Sequence, residues 1–172
     1  MIFIFLGMVV LCSWSCDRIY RIIQKEGAEE KDLLGEIIPF QRNAKVEEVQ
    51  KLLSLYGYKI GKVDGKMGVR TRTVIEAFQK DSSLKVTRFV DKATWNKLDE
   101  LSRLGLVEKG ELNIKGIQAA LKKAGFDPGS PDGKMGNKTK IAIIQFQQAH
   151  GLKGDGRIGY KTLNQLSQYI KQ

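Results

Sequence analysis

The strongest constraint on this chain is a sequence phrase that occurs twice. Residues 64–79 and 132–147 lie 68 positions apart, and both begin with Asp-Gly-Lys-Met-Gly and end with Phe-Gln. Extending the comparison without gaps, residues 46–101 and 114–169 share 18 identities in 56 positions. This period is longer than the roughly 20–50 residues of most solenoid repeats, so each copy should be a small, compact domain with a modest core. The chain is therefore built from one module used twice.

Apolar residues at helical spacing predict three helices in each copy. The first helix of each copy runs to a glycine suited to a left-handed cap, Gly57 or Gly125, and the second begins near Val69 or Asn137. The residues expected to mark the third helices are Trp95, Leu98 and Leu101, then Leu163, Leu166 and Ile170. A weak β-leaning run at 85–90 predicts a short extended segment at most. The predicted fold class is all-α, with two tandem small three-helix bundle domains.

The repeats divide the rest of the chain into segments. The predicted boundaries are a signal peptide or lipobox-like segment at 1–16, a tether at 17–44, a first repeat at 45–104 with a divergent second half, a linker at 105–112, and a second repeat at 113–171. Glycines interrupt the short amphipathic stretches of the tether, so we expect a spacer and not a domain there.

The N-terminal segment predicts export. Residues 1–11 carry no charge, have the length of a signal-peptide hydrophobic region and are too short to span a bilayer. Cys16 stands where the acylated cysteine of bacterial lipoproteins would be and so resembles a lipobox, although Ser13 and Trp14 depart from that pattern. The resemblance implies lipidation at Cys16 and a membrane anchor in the periplasm or cell envelope. The alternatives are an uncleaved apolar anchor or an incidental cysteine.

The residue types that enzymes use are sparse in the repeats. The only cysteines, Cys12 and Cys16, precede the repeats, so the repeats should contain no disulfide and no thiolate metal site. His150 is the single histidine and has no partner that predicts a zinc site, and no carboxylate pair indicates glycoside cleavage. The sequence predicts no enzyme, no catalytic residue, no metal and no cofactor.

The second copy resembles the peptidoglycan-binding domain 1 family, the three-helix modules attached to many bacterial cell-wall hydrolases. The matching residues are Gln118, Leu121, Gly125, Gly129, Asp132, Gly133, Gly136, Thr139, Ile143, Phe146, Gln147, Gly151, Leu152, Asp155, Gly156, Gly159, Thr162 and Leu166. The first copy matches through Gln79 and then departs, with Ser83, Thr87, Arg88 and Asp91 at positions where the second copy has Gly151, Asp155, Gly156 and Gly159. The resemblance implies a noncatalytic envelope protein that binds peptidoglycan.

The loop before the second helix and the first turn of that helix form the expected ligand face, because loops on a rigid scaffold often carry function. The candidate ligand-binding residues are Asp132, Lys134, Asn137, Lys138 and Thr139 in the second copy, and Asp64, Lys66, Arg70 and Thr71 in the first. Gln50 and Gln118 are expected to satisfy backbone groups. Asp64 and Asp132 are expected to hold the loop through Asx-type hydrogen bonds, with direct ligand contact as the alternative.

Other partners follow from charge and context. The net charge of +10 favours polyanions, but charge alone does not choose between the cell wall, anionic lipid and nucleic acid. The predicted export and the lack of aromatic stacking stripes argue against nucleic acid. The alternative function is a protein–protein docking module that recruits a cell-wall hydrolase or another envelope protein.

Overall fold

A computed structural model describes residues 41–171. The predicted signal segment at 1–16, the lipidation of Cys16 and nearly all of the tether at 17–44 fall outside these residues. No helix within residues 41–171 is long and apolar enough to cross a membrane.

Each repeat contains three helices, which confirms the all-α tandem fold. The helices of the first repeat are α1 (Ala44–Leu55), α2 (Val69–Asp81) and α3 (Lys92–Arg103). Those of the second repeat are α4 (Ile114–Lys123), α5 (Asn137–Ala149) and α6 (Tyr160–Gln168). The second helices begin at the predicted residues. Ile170, expected on the last helix, lies just beyond its end.

The segment between the repeats is ordered. Strands β1 (Val107–Glu108) and β2 (Glu111–Leu112) form a two-stranded antiparallel hairpin, with Val107 opposite Leu112. The β-leaning run at 85–90 contains no strand. Leu106 and Val107 are buried, so this connection is part of the core and not a free spacer.

The helix ends follow capping rules. The side chains of Asn43, Asp91 and Asn113 accept hydrogen bonds from backbone amides in the first turns of α1, α3 and α4. The other three helices begin after a glycine and have no side-chain cap. Without a capping side chain, the first amides of these helices depend on water or on other parts of the fold.

The two repeats share one continuous apolar core. Phe78 of the first repeat and Phe146 of the second are both fully buried in it. Tyr160, the first residue of α6, crosses from the second repeat into the first and lies 4.9 Å from Phe78, 5.8 Å from Tyr56 and 6.5 Å from Tyr58 between ring centroids. Such edge and tilted aromatic pairs stabilise beyond the area that they bury. The two predicted cores are thus joined.

Polar contacts complete this junction. The backbone amide of Tyr160 donates to the carbonyl of Tyr56 at 2.9 Å, and the hydroxyl of Ser82 lies 2.8 Å from the hydroxyl of Tyr160. Lys161 pairs with Asp81 at 3.3 Å, and Lys171 pairs with Glu100. A free amide of α6 is therefore satisfied by a carbonyl of the other repeat.

Candidate functional site

In the first repeat, one buried glutamine organises the loop before α2. The Gln50 amide nitrogen lies 3.1 Å from Asp64 Oδ1, 3.1 Å from the Lys66 carbonyl and 3.0 Å from Thr71 Oγ1. Its carbonyl oxygen accepts from the amides of Asp64 and Gly65 at 2.9 and 2.8 Å. Gln50 is 1% exposed, so its side chain replaces water as the partner of these loop groups. The predicted backbone role of Gln50 is confirmed.

The second repeat builds the same arrangement around Gln118. Its amide nitrogen lies 3.0 Å from Asp132 Oδ1, 3.1 Å from the Lys134 carbonyl and 3.1 Å from Thr139 Oγ1, and its oxygen accepts from the Gly133 amide at 2.9 Å. The same residue types at the same spacing therefore determine the loop geometry in both repeats.

Asp64 and Asp132 close these loops as predicted Asx-type turns. Asp64 Oδ1 accepts from the Lys66 amide at 2.9 Å, and Asp132 Oδ1 accepts from the Lys134 amide at 2.8 Å. The hydrogen bond from the Lys66 amide, followed by that from Gln50, lowers the pKa of Asp64. For Asp132, the hydrogen bond from Gln118 comes first, and the pKa is again lowered. Both groups stay ionised at neutral pH and hold the loops as carboxylates.

The other candidate residues divide by exposure. Thr71 and Thr139 are 4% and 2% exposed, and their hydroxyls engage the loops internally. Candidates on the surface are Lys66, Arg70, Lys134, Asn137 and Lys138. Arg70 lies against Gly61, and Lys138 lies in the same way against Gly129. The structure thus gathers the candidates of each repeat at one loop, with the threonines beneath and the cations on the outside.

A second glutamine in each repeat organises the loop before the third helix. The amide nitrogen of Gln79 lies 2.9 Å from the hydroxyls of Thr87 and Thr94 and from the Phe89 carbonyl, while its oxygen accepts from the Thr87 and Arg88 amides. In the second repeat, Gln147 contacts the Arg157 carbonyl, the Thr162 hydroxyl and the Gly156 amide. The loop of the first repeat keeps its organisation although its sequence departs from the family pattern.

The backbone explains how this is achieved. Ser83 and Arg88 have φ values of 56° and 64°, in the left-handed region where the matching Gly151 and Gly156 have 66° and 70°. Residues with a Cβ occupy this region at a cost that glycine avoids. The first repeat therefore has the same backbone conformation at these positions as the second, without its glycines.

Two surface clefts in the described part of the chain lie away from the candidate residues. One, of about 470 Å³, is lined by residues of α1, α3 and the hairpin, including Glu47, Glu48 and Asp99. The other, of about 360 Å³, lies at the junction of the repeats. None of the nine candidate residues lines either cleft.

The junction between the two repeats was not predicted from the sequence. Tyr160 corresponds to Lys92 in the first repeat, so an aromatic residue stands where the other copy has an exposed cation. Likewise Gly159 corresponds to the capping residue Asp91. Paired differences of this kind, in which one copy gains apolar surface and loses a cap, were the available signal for an interface.

Each of the two repeats matches a known protein family. Residues 42–98 and 111–166 each match the family described as "Putative peptidoglycan binding domain". Together these two segments cover more than half of the chain.

A curated relative gives a similar result. The N-acetylmuramoyl-L-alanine amidase CwlM of Mycobacterium tuberculosis (strain ATCC 25618 / H37Rv) is 36% identical over 101 residues, which cover 54% of this chain and 25% of the relative. The chain thus matches about a quarter of that protein's length. No solved structure matches this chain.

Proposed function

The chain belongs to the peptidoglycan binding domain family, and we propose that it is a noncatalytic cell-envelope protein that binds peptidoglycan through its two tandem repeats. The match to the amidase covers only a quarter of that relative. We therefore propose only peptidoglycan binding for this chain. The amidase reaction is attributed to the relative alone.

One observation carries the proposal: both repeats present the same internally braced loop. Each loop is fixed by a buried glutamine, a lowered-pKa aspartate and a buried threonine hydroxyl, so it needs little ordering when a ligand binds. The exposed cations beside each loop, Lys66 and Arg70 or Lys134 and Lys138, suit the carboxylates of the cell wall. We assign these residues, together with Asp64, Thr71, Asp132, Asn137 and Thr139, to the two ligand faces.

The proposed location in the cell envelope follows from the proposed binding of peptidoglycan. Peptidoglycan lies in the cell envelope, and the apolar start of the sequence with Cys16 would hold the N-terminus at a membrane through a lipid or an apolar anchor. Residues 17–44 would then separate the repeats from that membrane. A cell-wall hydrolase is a candidate partner because it would be placed beside its substrate.

The test is retention of the full chain, in mild detergent, on insoluble peptidoglycan freed of teichoic acid. Binding is measured at low and at physiological salt, beside an unrelated protein of similar charge. We expect retention that survives physiological salt and exceeds the charge control, because specific hydrogen bonds are screened less than exposed charges.

Matched variants separate the loop from general charge. Lys134→Gln with Lys138→Gln removes two cations at the second loop, and Lys122→Gln with Lys123→Gln removes two exposed cations at the end of α4. We expect the loop pair to weaken retention about tenfold or more and the α4 pair to leave it nearly unchanged, since loss of charged hydrogen bonds costs about 1.5–3 kcal/mol.

Equal losses in both pairs, together with release by salt, would count against wall recognition. In that case net charge explains the attraction of the chain to peptidoglycan, and a protein–protein docking module becomes the leading hypothesis. Copurification of a cell-wall hydrolase from envelope extracts would then be the next measurement.

A further inference from the structure

The cleft of about 360 Å³ at the junction of the repeats has the features of a ligand site. Its volume falls within the roughly 300–1,000 Å³ of small-ligand sites. The first repeat contributes Tyr58 and Asp81, and the second contributes Lys153, Asp155, Arg157 and Lys161. Neither repeat alone could form it, because its walls come from both.

The walls are held in place by contacts already described. The Tyr160 amide donates to the Tyr56 carbonyl, and its ring packs on Phe78. Asp81 accepts from the Tyr58 hydroxyl at 2.9 Å and pairs with Lys161 at 3.3 Å, so it links a side chain of the first repeat to one of the second. The cleft is therefore a built feature of the tandem arrangement.

Two cations in the cleft are exposed and only weakly held. The Arg157 backbone amide donates to Asp155 and, together with the nearby Arg157 charge, lowers the pKa of that carboxyl, but within residues 41–171 the guanidinium itself makes no hydrogen bond and no ion pair. Lys153 is held only by a long contact of 3.6 Å to Asp155, and its side chain is 86% exposed. These two cations lie on the same loop and are available to a carboxylate.

The remaining walls are apolar or acidic. Leu152, Ile158 and Tyr58 are half-buried and offer packing surface for small side chains, while Asp81 and Asp155 offer sites for an amine. The Tyr56 and Tyr160 rings are 2% and 3% exposed, so they present little face to a sugar ring. The cleft matches a short peptide that carries both charges better than it matches an uncharged glycan.

We infer that the junction cleft binds the stem peptide of peptidoglycan, with a peptide carboxylate at Arg157 and Lys153 and the apolar wall against its small side chains. This inference rests on the proposed function and adds a second, composite site to the two loops. The loops would engage the wall separately, whereas the cleft exists only where both repeats meet.

The experiment titrates a synthetic peptidoglycan stem peptide into the isotopically labelled full chain in detergent, and follows backbone amide shifts by NMR. A fully amidated peptide without carboxylates is the ligand control. We expect shifts at residues 153–161 and at Tyr58 with the acidic peptide, and a loss of affinity of about tenfold or more with the amidated peptide.

Variants make the result decisive. Arg157→Gln removes an exposed side chain that makes no hydrogen bond and no ion pair within residues 41–171. It should keep the fold, as checked by circular dichroism, while weakening binding of the peptide about tenfold. Lys123→Gln removes the same charge from the end of α4 and should bind as the parent does.

Four outcomes overturn the inference. Equal affinity of Arg157→Gln and the parent would remove the cleft from recognition, as would shifts confined to the loops at Asp64 and Asp132. Retention on insoluble peptidoglycan without any binding of the stem peptide would also refute the cleft, yet it would leave the proposed function standing. Failure of both assays would refute both.

Discussion

The two repeats reach the same backbone by different means. The second uses glycines at 151, 156 and 159, whereas the first uses Ser83, Arg88 and Asp91 at those positions. The first repeat caps its last helix with its own Asp91, and the second leaves that helix uncapped and borrows the carbonyl of Tyr56 instead. The first repeat is self-sufficient at this end, and the second is completed by its neighbour.

The two copies have therefore diverged within one fold. The copy that departs from the family pattern keeps its loop through Gln79 and tolerates backbone strain. The copy that follows the pattern carries the residue that joins the repeats.

The largest effect should come from making the second repeat resemble the first at the junction. Tyr160→Lys introduces the residue of the matching position 92 and removes a ring that is 3% exposed. We expect a loss of about 3 kcal/mol in unfolding free energy, because truncation of large buried aromatics costs about this much or more. Urea unfolding measured by Trp95 fluorescence, in a Trp14→Phe background, would report the first repeat, and far-UV circular dichroism would report both.

The two probes should have separate midpoints in Tyr160→Lys and a common midpoint in the parent. Lys92→Ala, at the exposed matching position, is the control and should change stability by no more than about 0.5 kcal/mol. Coincident midpoints and unchanged stability in Tyr160→Lys would show that the repeats are energetically independent.

The next effect concerns the connection between the repeats. A Cβ at Gly116 would lie 2.2 Å from the Gly105 carbonyl oxygen, so Gly116→Ala forces α4 away from the end of α3. We expect a loss of about 2 kcal/mol, because the clash outweighs the gain in helix propensity of about 1 kcal/mol. Thermal unfolding measures it.

The matching position in the first repeat is Glu48, which is exposed and paired only with Lys45. Glu48→Ala should cost less than about 1 kcal/mol, since exposed ion pairs contribute little. If Gly116→Ala proved as mild as this control, the close packing at Gly105 would not constrain the connection.

A smaller effect, of opposite sign in the two copies, should come from the left-handed residues. Ser83→Gly should stabilise the protein by about 0.5–1 kcal/mol because it relieves a side chain at φ 56°. Gly151→Ala places a side chain at φ 66° and should destabilise it by a similar amount. Chemical denaturation of both variants checks the sign. If both changes destabilise the protein, the Ser83 side chain must stabilise the fold by more than its left-handed backbone conformation destabilises it.

The smallest effect is the acid dependence of the two loops closed by Asp64 and Asp132. The pKa values of Asp64 and Asp132 are lowered in the folded state, chiefly by hydrogen bonds from the Lys66 amide and from Gln118, respectively. Their contribution is therefore complete above the unfolded pKa of about 3.9 and is lost as the pH falls through the lower folded value. Melting temperatures between pH 3 and 6 should show this decline.

In the variant Asp64→Asn with Asp132→Asn the acid decline should be shallower, since the amide oxygen can still accept from the loop but no longer titrates. Glu108→Gln with Glu111→Gln removes two exposed carboxylates of the hairpin and serves as the control for charge. Equal flattening by both pairs would assign the acid dependence to net charge and not to the loops.

The sequence predicted the parts of this structure that depend on local pattern. Helical periodicity gave the six helices. The Gln and Asp residues repeated in both copies anticipated the hydrogen-bonded loops at Gln50 and Gln118, because Asp side chains in turns commonly bond to nearby backbone amides. The junction was not predicted, since Tyr160 reads simply as one more apolar residue until its contacts with Phe78 are known. The short hairpin at 107–112 was also missed, because two-residue strands carry almost no periodic signal.

The carbonyl of Tyr56 that completes α6 has a practical consequence for dissecting this molecule. A fragment that holds only the second repeat would leave the first amide of that helix bonded to water alone and would expose the Tyr160 ring to water, and this exposed ring favours self-association. Failure of such a fragment to bind would then report aggregation as readily as lost affinity. Point substitutions within the intact tandem are the sounder way to ask which copy recognises the wall.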